Sequence, residues 1–495
     1  MKTIVALIAL LITSLSAATS LAQESTQQYR HWTTSSGRRS DVRLKLIERT
    51  TDSIRLQRED NQKIAVLPLQ QLSQADLNFL NRLTSNSPTP QATPPQTTPS
   101  SASESDWPQW RGSNRDGVST ETNLLDQWPS GGPNLDWTVT GIGEGYSTPA
   151  VSNGHVFVLG AKGNSEQMFC LSAVNGNEVW SAPLGKKANG GGYPGPRGTP
   201  TVDGDRVYAI GSDGTLVSVN RANGTIAWKK NLKADFGGRC GHWDYAESPL
   251  IDGDRLICTP GGERATVVAL RKSNGMPIWQ GSAAELNGGY TTASYASPIA
   301  ATINGQPQYI VFLHGGVVGF DAKTGRGLWH YDAPANDTAN CSTPLVIGNA
   351  VFAASGYGTG GGKAILTGKD QNWNTREEFF VQKFESHHGG FVFLDGYLYG
   401  TNNSVLLCVD WKTGDIRWQN RCVGKGSISA ADGMLYVRGE RGDIALVKAT
   451  PNGYEESGRF SQPDRSDKNA WPHPVIANGN LYIRDQDRLL SFHIR

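Results

Sequence analysis

The 495-residue chain has no surplus of charge of either sign: 46 Lys and Arg stand against 45 Asp and Glu, a net charge of +1. Bulk attraction to nucleic acid or to an anionic membrane is therefore not expected. Long hydrophobic runs are as scarce. The run from Ile4 to Leu15 follows Lys2, is too short to span a bilayer comfortably, and gives way to small residues up to Ala22. That pattern predicts a secretory signal over residues 1–22, with Ser20 and Ala22 flanking the cleavage point. No later run offers a transmembrane segment and no cysteine follows the signal to accept a lipid, so the expectation is export to the periplasm or the exterior.

Cysteine is sparse too. The six residues Cys170, Cys240, Cys258, Cys341, Cys408 and Cys422 include no C-x-x-C and no adjacent pair, which argues against a zinc site or a dithiol motif. They read as small buried hydrophobes, with Cys408 and Cys422 the one pair that neighbouring strands could join. The G-x-S-x-G elbow and the H-E-x-x-H pair are missing, and the glycines around Tyr193 and Arg197 lead into no helix that could bind phosphate.

What is present is repetition. Between Gly154 and Gly479 an apolar strand, a turn and a second apolar strand recur eight times. The turns fall at Asn153-Gly154, Asp203-Gly204, Asp252-Gly253, Asn304-Gly305, Gly348-Asn349, Asp395-Gly396, Asp432-Gly433 and Asn478-Gly479. Such dipeptides tolerate positive φ and close tight hairpins. A second period overlies the first: Gly176, Gly224, Gly275, Gly325 and Gly414 each precede a tryptophan by four residues, giving Trp180, Trp228, Trp279, Trp329 and Trp418. These indoles are expected to pack between adjoining sheets, and truncating a buried one costs about 3–5 kcal/mol. Phe380 and Phe460 stand where two further tryptophans are due. Trp137 lies ahead of the first hairpin while the last repeat ends without an outer strand, so the N-terminal strand is expected to complete the last sheet and remove the open edge. The fold class read from this is all-β, an eight-bladed β-propeller over residues 107–495.

Ahead of it, residues 28–84 alternate apolar and polar residues over Val42–Ile47, Ile54–Gln57 and Ile64–Leu67, then offer Ser73 and Asp76 as a helix cap. This predicts a small SH3-like β-barrel with a C-terminal helix. The segment carries ten Lys/Arg against six Asp/Glu, read as a solvated basic face. Residues 85–106 are rich in Pro, Ser and Thr and read as a stiff, solvated tether.

Two resemblances follow from these motifs. His31-Trp32-Thr33, the strand Val42-Arg43-Leu44-Lys45-Leu46 and Val66-Leu67-Pro68-Leu69 leading into Leu72-Ser73 resemble the SLA1 homology domain 1, which implies protein binding. The Gly-x-x-x-Trp turns and the Ser/Thr-Pro openings at Thr148, Thr199, Ser248, Ser297 and Thr343 resemble the pyrroloquinoline-quinone-type propellers, the superfamily of quinoprotein alcohol dehydrogenases and of the assembly protein BamB.

Chemistry in such a ring is expected where the innermost strands open on the axis. Arg197 and Lys425 could hold the carboxylates of a flat anionic ligand, and Tyr146, Tyr245, Tyr295 or Trp471 could cover its face. His387, His388 and His473 complete the candidates; neighbours in a strand point to opposite sides, so His387 and His388 are not expected to grip one metal. The quinoprotein resemblance implies calcium on Glu247 and Asn340 and a base at Asp244, but the adjacent Cys-Cys pair of those dehydrogenases is missing. Three readings stay open: an interaction scaffold with protein partners at the cell envelope, a quinone-dependent alcohol oxidoreductase, and a funnel that binds a sugar or other small solute. The first leads.

Overall fold

The computed structural model describes residues 40–41, 43–49, 53–73, 76–77, 105–286, 288 and 290–495. The signal segment, nearly all of the tether and the helix beyond Leu77 lie outside the described residues. The chain divides into two compact units, Met1–Gln96 and Thr97–Arg495.

In the first unit, strands Leu44–Arg49, Ser53–Arg58 and Ile64–Pro68 form an antiparallel sheet in chain order. Period-two alternation turns Leu44, Leu46, Ile54 and Leu56 to one side, where they meet Leu72 in a small core. The cap is reciprocal: Asp76 N–H donates to Ser73 Oγ at 3.3 Å, and the Ser73 hydroxyl donates to Asp76 Oδ2 at 3.0 Å. The third strand differs from the simple pattern, because Ile64 and Val66 are exposed.

The second unit contains eight four-stranded antiparallel sheets. Sheets 1 to 7 occupy residues 150–186, 201–231, 250–281, 299–331, 345–381, 391–421 and 426–461, each a meander in chain order. Sheet 8 joins three C-terminal strands, beginning with Val475–Ala477, to the distant strand Asn134–Thr140, with Trp137 opposite Ser491. The expected closure by the N-terminal strand is thus met. One apolar core fills each joint between successive sheets, and Val475, Tyr482 and Leu489 of sheet 8 share a core with Val156, Val158 and Phe169 of sheet 1. All eight hairpins between first and second strands have two-residue turns. Six use the expected dipeptide; in sheets 2 and 3 the turn is shifted by one residue, to Gly204-Asp205 and Gly253-Asp254, because Asp203 and Asp252 still pair with Arg206 and Arg255.

The Gly-x-x-x-Trp spacing works as a relay between sheets. The Trp180 indole N–H donates to Arg221 O of sheet 2 at 2.8 Å and its ring lies on Gly224, where an added Cβ would come within 2.6 Å. Gly224 in turn precedes Trp228, which donates to Lys272 O at 2.9 Å and lies on Gly275. Trp137, Trp279 and Trp418 make the same kind of bond to Ala173, Ala322 and Thr450. Gly176, Gly224, Gly275 and Gly325 therefore each receive the indole of the preceding sheet, and Trp137, Trp180, Trp228, Trp279 and Trp418 each clasp the next. Trp329 departs from the relay: it is buried but donates to Gln308 Oε1 of its own sheet.

In every outer strand the register slips just before the clasping residue. The pairing jumps from Cys170↔Trp180 to Leu171↔Glu178, for example, leaving Val179 as a bulge. The slip also identifies the equivalents in the two sheets that lack tryptophan. In sheet 5 the residue is Phe379, stacked on Gly414, rather than Phe380, which stays exposed. In sheet 7 it is Gly458, against which Trp128 from the N-terminal segment packs, while Phe460 lies on Gly132. All six cysteines are free, and the expected Cys408–Cys422 bridge does not form because Cys408 faces Trp418 across the sheet.

Residues 107–125 form no sheet of their own. They lie as a strap that reaches sheets on opposite sides of the axis. Trp107 exchanges backbone bonds with Val151 of sheet 1, Arg115 donates to Ser248 O at 2.8 Å beside sheet 3, Arg111 donates to Phe391 O in sheet 6, and Gly117 O accepts from Ala430 N in sheet 7. The strap thereby ties together innermost strands of sheets 1, 3, 6 and 7.

Candidate functional site

In sheets 1 to 5 a proline just before the innermost strand removes a donor, and the hydroxyl residue before it supplies an acceptor to the neighbouring sheet. Thr199 N–H donates to Ser248 Oγ at 2.8 Å, Ser248 N–H to Ser297 Oγ at 2.9 Å, and His473 N–H to Thr148 Oγ1 at 3.0 Å. This stitching fixes the innermost strands around the axis and leaves a cavity of about 260 Å³ above the strap.

Trp110 of the strap forms part of the lining, held by its indole N–H on Thr343 Oγ1 at 2.8 Å and packed on the His473 ring at 4.6 Å. One wall is aromatic: Trp471 lies 4.4 Å from Tyr146 at an interplanar angle of 32° and 4.7 Å from Tyr193. Trp243 and Tyr295, 5.5 Å apart, also line the cavity. Between these lies Glu440, whose Oε1 accepts from Trp471 Nε1 at 2.6 Å and stands 3.4 Å from Lys425 Nζ. Burial opposes its ionisation, but the His388 imidazole, the Trp471 indole N–H and the Lys425 ammonium prevail and hold its pKa down at about 2. His388 Nε2 lies 3.3 Å from the same oxygen while its Nδ1 has no protein partner, and burial keeps the imidazole neutral by lowering its pKa. The Cys341 thiol at the wall is pushed up to about 12 by burial and is inert as a nucleophile at neutral pH.

Of the residues nominated from sequence, Arg197, Tyr295, His387, His388, Lys425 and Trp471 line this cavity, as does Tyr146. His387 and His388 diverge as their adjacency in the chain requires: His387 packs on Tyr357 at 4.8 Å, and His388 turns to Glu440. Arg197 is occupied by its own loop, donating to Gly190 O, Tyr193 O and Gly195 O at 3.2, 2.6 and 3.3 Å. The others lie elsewhere. Tyr245 is buried in the joint between sheets 2 and 3 with its hydroxyl on Pro260 O. His473 is buried beside Trp110, donating from Nε2 to His388 O at 2.8 Å. Asp244 accepts from Gly190 N–H at 2.9 Å and steadies that loop. Asn340 is saturated: Oδ1 accepts from Asn336 N–H, and Nδ2 donates to Leu313 O, His314 O and Asn336 O. Glu247 is buried away from the cavity, accepting from Thr259 N–H at 2.6 Å, and burial raises its pKa to about 7. Neither of the two nominated calcium ligands reaches the cavity, and among the described residues no group of three His, Cys, Asp or Glu side chains could hold a metal.

Sequence reasoning missed Glu440, Tyr193, Trp243, Tyr357 and Trp110 as lining residues. It searched only the residues that open each innermost strand. The turn from second to third strand lies at the same end of a sheet, and that is where Tyr357 and Glu440 sit. The repeat itself could have indicated those two positions; nothing in it indicates the strap.

The class of fold is a propeller-type all-β ring. A structure of BamB from Moraxella catarrhalis superimposes with a TM-score of 0.50 at 15% identity, covering 72% of this chain and 96% of that one. The quinohemoprotein alcohol dehydrogenase of Comamonas testosteroni gives a TM-score of 0.55 at 12% identity, covering 79% and 80%. At such identities these likenesses speak for fold alone. Residues 120–235 and 170–420 match the family profile described as outer membrane protein assembly factor BamB, together more than half the chain, and the protein belongs to that family. Residues 21–88 match SLA1 homology domain 1. Among curated relatives, the outer membrane protein assembly factor BamB of Burkholderia pseudomallei is 25% identical over 46% of this chain and 67% of its own length. The serine/threonine-protein kinase AfsK of Streptomyces griseus is 26% identical over 33% of this chain, a match that spans 19% of the kinase.

Proposed function

We propose that the protein is an exported interaction scaffold of the cell envelope. In this reading an eight-bladed propeller, residues 107–495, is tethered through residues 85–106 to an SH3-like protein-binding module, residues 28–84. The observation that carries the reading is an apolar row on the outside of the ring. Leu135, Val179, Ile226 and Ile278 lie in the outer strands of sheets 8, 1, 2 and 3 and are 36% to 49% exposed. Val174 and Met276 in the adjoining turns are more exposed still. Single exposed apolar residues need no explanation, but their recurrence near the clasping residue over four consecutive sheets supports a docking surface. The outer strands of sheets 5, 6 and 7 carry Glu378, Arg417 and Glu456 near the same position. The bulge in each outer strand breaks the ladder that an added strand would need, so the partner is a folded protein meeting side chains. The name of the Burkholderia relative, an outer membrane assembly factor, is in keeping with an envelope partner.

A photo-crosslinking residue placed at Ile226 or Ile278 in cells is expected to give a discrete protein adduct, and one at Glu378 or Arg417 none. Equal labelling from both sides of the ring, or none from either, would contradict the reading.

The oxidoreductase reading finds less support in the residues. A polycarboxylate quinone needs free cations, yet Arg197 is committed to three carbonyls and Lys425 faces Glu440, a carboxylate the quinone would meet. A calcium ion would need Glu247 and Asn340 at the cavity, and neither lines it. The site does not fit that cofactor, and no redox step is derived for it.

A further inference from the structure

The central cavity is not needed for a partner on the outer rim, yet it is built as a binding site. Trp110 of the strap lines it, and Tyr193 and Tyr357 are partly exposed at 36% and 51%. Its polar groups are only partly spent on one another. His388 has a side chain only 5% exposed; its Nε2 stands 3.3 Å from Glu440 Oε1 but its Nδ1 has no partner, a costly state for an imidazole unless something else supplies that hydrogen bond.

The wall restricts what that something is. A cationic ligand would suit the aromatic rings but meets Arg197 and Lys425. A polyanion meets Glu440 and finds Arg197 already bonded to its loop. A wholly apolar ligand would seal off His388 Nδ1 without a partner and strip water from the charged Glu440–Lys425 pair. What remains is an uncharged ring with an apolar face and a polar edge. A sugar has both: its C–H face stacks on indole and phenol rings, and its hydroxyls donate to carboxylates and exchange hydrogen bonds with neutral imidazole. The volume of about 260 Å³ lies just under the roughly 300 Å³ at which pockets begin to take drug-sized ligands, which favours one ring over a chain.

We propose that the central cavity binds a single uncharged pyranose, its face against the aromatic wall of Trp471 and its hydroxyls on Glu440 and His388. The proposal goes beyond the scaffold reading and stands or falls separately from it.

The test is titration calorimetry of the full chain with free glucose, galactose, mannose and N-acetylglucosamine, with glucosamine and glucuronate as charged counterparts. At least one neutral sugar is expected to bind saturably and more tightly than either charged one. Glu440→Gln and His388→Gln should each weaken it tenfold or more, with thermal melting checked in parallel so that a misfolded variant is not counted. The nearly isosteric Glu440→Gln keeps the cavity shape and separates loss of the carboxylate from collapse of the site. No saturable heat with any neutral sugar, unchanged affinity in a folded Glu440→Gln protein, or preference for a charged sugar would overturn the proposal.

Discussion

At the scale of single residues, much of what looks like site chemistry is support for the site. His473 shows this most clearly. Burial, with the Arg111 guanidinium nearby, holds its imidazole down at about 3 against an ordinary 6.5, so it is neutral in the fold as the Nε2–H form donating to His388 O. The unfolded chain takes up a proton below pH 6.5 that the folded protein refuses until about pH 3. Stability therefore falls as pH drops through that window. Urea denaturation of wild type and His473→Gln between pH 7 and pH 4 should show a shallower decline in the variant. Parallel curves would contradict the assignment. His473 was nominated from sequence as a ligand-facing residue. Its type and place near the axis were legible, but its burial beside Trp110 was not, because no local pattern announces that a distant segment will pack on it.

At the scale of elements, legibility follows periodicity. Strand alternation and turn dipeptides repeat, and so the sheets, the hairpins and the joining of Trp137 to the last sheet could be read in advance. Trp329 and Phe380 mark the limit. The spacing gave Trp329 the same role as its counterparts and Phe380 a tryptophan's place, whereas Gln308 captures the indole N–H of the first and the outer-strand bulge puts Phe379 in the clasp instead. The strap is aperiodic and had no signature. Its importance lies in two buried arginines: Arg115 donates to Ser248 O and Pro249 O and is the cation near the buried Glu247 carboxyl. Arg115→Ala leaves two inner carbonyls and that carboxyl uncompensated, an expected cost of about 3 kcal/mol or more. A lower urea midpoint at unchanged slope would show it, and an unchanged midpoint would mean that the strap merely rests on the ring.

At the scale of the whole molecule, a ring held by a relay of aromatic rings on glycines keeps the two proposed binding regions apart. The outer apolar row of sheets 8, 1, 2 and 3 can meet a partner without disturbing the axis, and the cavity can fill without disturbing the rim. The fold was legible because eight copies of one pattern reinforce each other. The cavity was legible only in part, because its lining draws on strand openings, turns and the strap at once. Membership of a fold that also houses quinohemoprotein dehydrogenases is what makes the central claim worth testing, that here the ring is kept without the quinone chemistry. The most direct measurement is calorimetric titration of the full chain with pyrroloquinoline quinone in the presence of calcium. The account predicts no saturable heat. Micromolar binding that is lost in Lys425→Ala would contradict it and make the cavity a cofactor site.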